Sequence, residues 1–69
     1  MESKLKDRIK ELREQKGLSQ QKLGELVGVN QQAVSNWETS YREPNIEVLM
    51  NLAIIFEVTM DYLVGLNDL

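Results

Sequence analysis

The sequence predicts an all-α fold of five short helices around a small core. Apolar residues recur at helical spacing along the 69 residues, and glycine or proline interrupts the pattern at short intervals. No segment alternates apolar and polar residues as a half-buried strand does. Because a chain of this length can bury only one small core, we expect a compact single domain over residues 4–66.

The first two predicted helices are short and amphipathic. The first covers residues 4–16, with its apolar side chains on one stripe and Gly17 as its C-terminal stop. The second begins after the N-cap residue Ser19 and ends at Gly28. About one residue separates Gly28 from the next N-cap, Asn30, so a tight turn joins the second helix to a third.

The third predicted helix, residues 31–38, has two unlike sides. At 100° per residue, Ala33, Val34 and Trp37 fall on one side, where they can anchor the helix. The other side is made of amide and hydroxyl groups and carries Gln31, Gln32, Ser35, Asn36 and Thr39.

Two further helices follow a polar loop that contains Pro44, the single proline. Asn45 caps the fourth helix, residues 46–56, and Thr59 caps a short fifth helix. The spacing predicts that the side chains of the fourth helix that point inward are Ile46, Leu49, Leu52, Ala53 and Phe56.

Composition argues against several kinds of chemistry. The chain has no cysteine and no histidine, so we expect no disulfide, thiol nucleophile, zinc finger or imidazole catalysis. No paired carboxylates or nucleophile and base occur at a meaningful spacing, and we expect no enzyme activity, metal, cofactor or small-molecule ligand. The charged N-terminal segment and the absence of a long apolar run predict a cytoplasmic protein with no membrane segment.

The charge balance alone does not decide the function. The net charge is −3, whereas domains that bind nucleic acid are usually basic. All eight basic residues lie at or before position 42, together with six acids, and the rest of the chain has five acids and no base. A solvated surface explains this asymmetry about as well as a nucleic-acid partner does.

Two segments carry a stronger combined pattern, RIKELREQKGLSQQKLGELVGVNQQAVSNWE and LAIIFEVTMDYLVG, with Pro44 between them. From Ile9 to Val64 the chain resembles the phage repressor and Cro type helix-turn-helix proteins, also called the XRE family. The resemblance implies a lambda-repressor-like fold with its helix-turn-helix at residues 19–38. It also implies a regulator of transcription, most commonly a repressor, that reads the major groove of double-stranded DNA with the helix 31–38.

The residues expected to contact bases lie on the polar side of that helix and are Gln31, Gln32, Ser35 and Asn36. An amide can donate and accept together, as pairing with adenine N6 and N7 requires, so we predict A·T pairs in each half-site. A polar surface helix without a partner is the plainer interpretation of these residues, and the preceding short helix makes it less favoured.

Phosphate contacts are expected from groups that flank the third helix, because contacts to the DNA backbone fix orientation. The exposed N–H groups at the start of the second helix favour a phosphate, and the resemblance implies that Gln20 approaches one. The predicted set is Ser19, Gln20, Thr39, Ser40, Tyr41, Arg42 and Arg13. The resemblance also implies a structural ion pair between Arg13 and Glu38.

Two residues depart from the family pattern. Ser40 stands where glycine is frequent after the third helix, and a left-handed backbone there would strain a serine by roughly 1 kcal/mol. Gly24 stands where alanine is common, which keeps the two helices close but lowers helix propensity by about 1 kcal/mol.

The C-terminal helices carry more apolar residues than one core face needs. A wider core explains this, and so does a homodimer, for which the predicted interface residues are Met50, Ile54, Tyr62, Val64 and Leu66. A two-fold dimer would place two recognition helices about 34 Å apart on a pseudo-palindromic operator.

A second class of function stays open at this point. The same fold can serve as a protein-interaction module, as in an antitoxin or an adaptor, and the overall acidity modestly favours it. An affinity for duplex DNA that did not fall with added salt would favour this alternative, because phosphate contacts release counterions.

Overall fold

The computed structural model describes residues 4–66, which form five α-helices and no strand. In chain order they are α1 (Leu5–Gln15), α2 (Gln20–Val27), α3 (Gln31–Glu38), α4 (Ile46–Phe56) and α5 (Met60–Val64). The predicted all-α fold of five helices is confirmed, and each boundary that the sequence predicted lies within one residue of its expected place.

Side-chain caps determine where four of the helices begin. In each case an oxygen of the cap accepts a hydrogen bond from the backbone N–H three residues later, at 2.9 to 3.0 Å. The four caps are Ser19, Asn30, Asn45 and Thr59. Each satisfies one of the N–H groups that a helix start leaves without a partner, which explains why local sequence marked these starts.

One core joins all five helices. Ile9, Leu23 and Val34 are fully buried, and Trp37 is 6% exposed. The other buried apolar side chains are Leu5, Leu12, Leu52, Ala53, Phe56 and Leu63. Because α3 contributes both Val34 and Trp37, it is held against the rest of the molecule at both of its turns.

The predicted inward position of Ile46 is wrong, since this side chain is 65% exposed. Ile46 lies in the first turn of α4, roughly 70° around the helix from the centre of the stripe formed by Leu52, Ala53 and Phe56. Leu49 is half-buried. Exposure of Ile46 extends an apolar surface along α4, described below.

Arg8 is a buried residue that the sequence did not indicate. It is 9% exposed, and its guanidinium lies 4.0 Å from the centre of the Tyr62 ring. This cation–π contact joins α1 to α5. Tyr62, predicted for a dimer interface, is therefore half-covered by its own chain.

The backbone at Ser40 is left-handed, with φ of +62°. The serine thus occupies the conformation for which glycine is favoured, and we assign the loop a strain of roughly 1 kcal/mol. Glu57, which ends α4, has a similar φ of +59°.

Gly24 lies where the following turn leaves no room for a side chain. A Cβ atom at this position would lie 2.7 Å from the carbonyl oxygen of Val29, in the turn that follows α2. The turn therefore packs directly on the backbone of α2, and an alanine would require the turn to shift.

Candidate nucleic-acid interface

The turn between α2 and α3 is held by backbone contacts. Gly28 has a left-handed backbone that ends α2, and the N–H of Val29 donates to the carbonyl of Gly24 at 2.8 Å. Asn30 then caps α3. The two helices form a tight helix-turn-helix over residues 19–38, the span that the sequence indicated.

The buried side of α3 determines which residues remain accessible. With Val34 and Trp37 in the core, Gln31 and Gln32 are exposed on the opposite side. The other two residues predicted to contact bases are half-buried, and they are Ser35 and Asn36. α3 thus presents a surface of amide and hydroxyl groups whose register is fixed by the core.

Gln32 and Asn36 are joined by a hydrogen bond that the sequence reasoning missed. Gln32 Nε2 donates to Asn36 Oδ1 at 3.0 Å, across one helical turn. The i,i+4 spacing of two amides was the signal for it. The bond leaves the Gln32 carbonyl oxygen free to accept and the Asn36 amide nitrogen free to donate, so the pair offers both functions to a base edge.

The ends of three helices meet at the Glu38 carboxylate. Arg13 Nε donates to Glu38 Oε2 at 2.7 Å and Arg13 Nη2 donates to Oε1 at 3.1 Å, which makes a two-pronged ion pair. Gln20 Nε2 also donates to Oε1 at 3.1 Å, and Arg13 Nη1 donates to the carbonyl of Leu18 at 2.8 Å. The two charged side chains are only 12% and 5% exposed, and the hydrogen bond to Glu38 raises the pKa of Arg13.

This network affects two of the residues predicted to contact phosphates. Arg13 uses Nε, Nη1 and Nη2 within the protein. Gln20 is half-buried, and one of its two N–H groups is directed to Glu38. Its place at the start of α2 keeps it next to Ser19, which is exposed. The phosphate contacts of all three residues stay predictions.

Residues 39–42 form an exposed loop at the end of α3. The Thr39 hydroxyl lies 3.1 Å from the carbonyl oxygen of Ser35 and donates its proton there, so Thr39 closes the end of the helix. The Arg42 guanidinium lies 5.8 Å from the centre of the Tyr41 ring. The four predicted phosphate-contacting residues of this loop are all exposed, and they are Thr39, Ser40, Tyr41 and Arg42.

The residues predicted for a dimer interface differ in exposure. Met50 is 52%, Ile54 72% and Leu66 73% exposed. Tyr62 and Val64 are half-buried. Ile46 precedes Met50 and Ile54 at four-residue spacing, so these three side chains form an exposed apolar stripe along α4.

Within residues 4–66 no group of acidic side chains is arranged to hold a metal ion. No helix in the same range has the length and apolar character needed to cross a membrane.

The chain is similar to curated proteins that are named as regulators of transcription. Residues 9–63 match the model of the helix-turn-helix family. The HTH-type transcriptional regulator ImmR of Bacillus subtilis (strain 168) is 33% identical over 61 residues, which cover 88% of this chain and 48% of that protein. This chain spans about half the length of the first curated relatives that it matches.

Two solved structures with the same fold contain DNA. The P22 c2 repressor protein in complex with a synthetic operator superposes with a TM-score of 0.83 and 38% identity, over 87% of this chain and 91% of that chain. The master regulator for biofilm formation SinR in complex with DNA superposes with a TM-score of 0.80 and 29% identity, over 88% and 98% of the two chains.

Proposed function

The chain belongs to the helix-turn-helix family, and from this premise we propose that it binds specific double-stranded DNA and regulates transcription, acting as a repressor. The match to the family model over residues 9–63 confirms the family resemblance that the sequence indicated. In this proposal the protein has no enzyme activity, acts in the cytoplasm and places α3 in the major groove of DNA. Residues 4–66 are proposed to be its single DNA-binding domain.

The main support for this proposal is the orientation of α3. α3 is fixed by Val34 and Trp37, and its accessible side carries the amides of Gln31 and Gln32. Base edges in the major groove are read by side chains that can donate and accept hydrogen bonds from a helix held in a fixed orientation. Two structures of similar fold, named above, have DNA bound, which supports the same use here.

A homodimer is part of the proposal. Met50, Ile54 and Leu66 expose large apolar surfaces that a partner copy would cover. Tyr62 and Val64 are half-buried, so they would add less area to the interface. Two-fold symmetry would give the operator two inverted half-sites about 34 Å apart, one turn of the DNA helix.

The proposal is tested by selecting bound duplexes from a random pool and measuring their affinity at several salt concentrations. We expect inverted half-sites containing A·T pairs, and an affinity that falls as salt is added. An affinity that did not change with salt would contradict DNA binding and favour a protein-interaction module. Selected duplexes with one half-site, bound by a monomer, would contradict the homodimer alone.

A further inference from the structure

Most charged residues of α1 are sorted onto two sides of the helix. At 100° per residue, three of the four basic side chains lie within about 60° of one another, and so do the three acidic ones. The fourth basic side chain, Arg8, is buried and lies away from both groups. The basic side carries Lys6, Lys10 and Arg13, and the acidic side carries Asp7, Glu11 and Glu14. Like charges one turn apart, as at Lys6 and Lys10, destabilise a helix, so this order does not serve the stability of α1 itself.

Lys6 and Lys10 are exposed and form no ion pair with any residue from 4 to 66. Three other basic side chains of that range have a carboxylate partner, and the pairs are Arg13 with Glu38, Lys16 with Glu57 and Lys22 with Glu25. The two lysines are therefore positive charges available to an external anion.

The position of these lysines connects two parts of the proposed DNA surface. Lys6 lines a small hollow together with Ser40 and Arg42, in the loop after α3. Lys10 follows one turn later, and Arg13 another turn on, where it is bonded to the network at the start of α2. The basic side of α1 thus runs from the loop after α3 to the start of α2.

One acidic residue, Glu43, also lines the hollow beside Lys6. It is exposed and forms no ion pair with Lys6 or Arg42. It leaves both cations available, although it lowers the local positive charge.

We propose that Lys6 and Lys10 form a further phosphate-binding site, which extends the DNA backbone contact along α1. This inference rests on the proposed function, and its ligand is the phosphodiester backbone of the same duplex. A lysine ammonium on a flexible stem suits a phosphate as a point charge and does not distinguish bases. The site also explains how a chain with a net charge of −3 can present positive charge to DNA.

The test compares Lys6→Ala and Lys10→Ala with the unaltered chain on the selected duplex. Because the proposed homodimer meets two half-sites, each substitution removes two phosphate contacts and is expected to reduce the magnitude of the slope of log affinity against log salt by about 1.8, or about 0.9 per contact. Between about 50 and 200 mM salt, each variant should then lose roughly 12-fold less affinity than the unaltered chain. The weakening should be the same on the selected duplex and on a scrambled one, because phosphates carry no sequence information.

Two controls separate charge from structure. Lys16→Ala removes a lysine that pairs with Glu57, and it should leave the slope unchanged. Lys10→Arg keeps the charge and should keep the slope. If the unaltered chain shows a salt-dependent affinity while Lys6→Ala and Lys10→Ala behave like Lys16→Ala, the phosphate site is overturned and the proposed function stands. An unaltered chain without salt-dependent duplex binding would overturn both.

Discussion

Gln32→Ala is expected to relax base specificity at two neighbouring base pairs of each half-site. The substitution removes one amide from the exposed side of α3 and also frees Asn36, whose Oδ1 accepts from Gln32 Nε2 at 3.0 Å. A good amide contact with a base contributes about 1 to 3 kcal/mol of discrimination, or roughly 5- to 150-fold in relative affinity. Competition binding with the selected duplex and its single-base variants measures this effect.

The hydrogen bond between Gln32 and Asn36 predicts that substitutions of these two residues have coupled effects. Asn36→Ala should disturb the same two base pairs, and the double variant should lose less discrimination than the sum of the single losses. The salt dependence should stay nearly unchanged, since no phosphate contact is removed. Asn51→Ala provides a matched control, because Asn51 is an exposed amide on α4. Strictly additive losses would contradict the coupling, and full discrimination by the double variant would contradict base contacts from α3.

Arg13→Met is expected to lower the free energy of unfolding by about 3 to 5 kcal/mol, because it leaves the Glu38 carboxylate buried without its cation. Glu38 is 5% exposed at its side chain, and Gln20 would be its one remaining side-chain hydrogen-bond donor among residues 4–66. For a domain of this size such a loss removes much of the total stability, which is of the order of 5 kcal/mol. Chemical denaturation measures it.

Two comparisons make the result interpretable. The double variant Arg13→Met/Glu38→Leu leaves neither charge buried and should recover much of the lost stability. Glu25→Ala breaks an exposed pair, Lys22 with Glu25, whose side chains are both 58% exposed, and it should cost at most about 1 kcal/mol. If Arg13→Met costs no more than Glu25→Ala, the ion pair does not hold the three helices together.

The starts and ends of the helices could be predicted because short-range chemistry encodes them. The N-caps Ser19, Asn30 and Asn45 accept hydrogen bonds from N–H groups three residues later. Gly28 takes the left-handed conformation that ends α2. None of these contacts depends on how the helices pack, so a local pattern is sufficient to indicate them.

Contacts between helices were harder to predict. Periodicity gives the direction of a side chain around its own helix, but it does not say which neighbouring helix covers it. Ile46 was therefore expected inside and is exposed, while Arg8 is buried against Tyr62. The bond from Gln20 to Glu38 likewise depends on two residues eighteen positions apart, and no local signal indicated it.

In the proposed complex, Val34 and Trp37 hold α3 so that its amide side meets the bases. NMR spectroscopy of the labelled chain, titrated with the selected duplex, tests it most directly. We expect intermolecular proton contacts between major-groove base protons and the side-chain amides of Gln31, Gln32 and Asn36. If such contacts are absent from α3 and arise from α4 or α5 instead, this arrangement is contradicted.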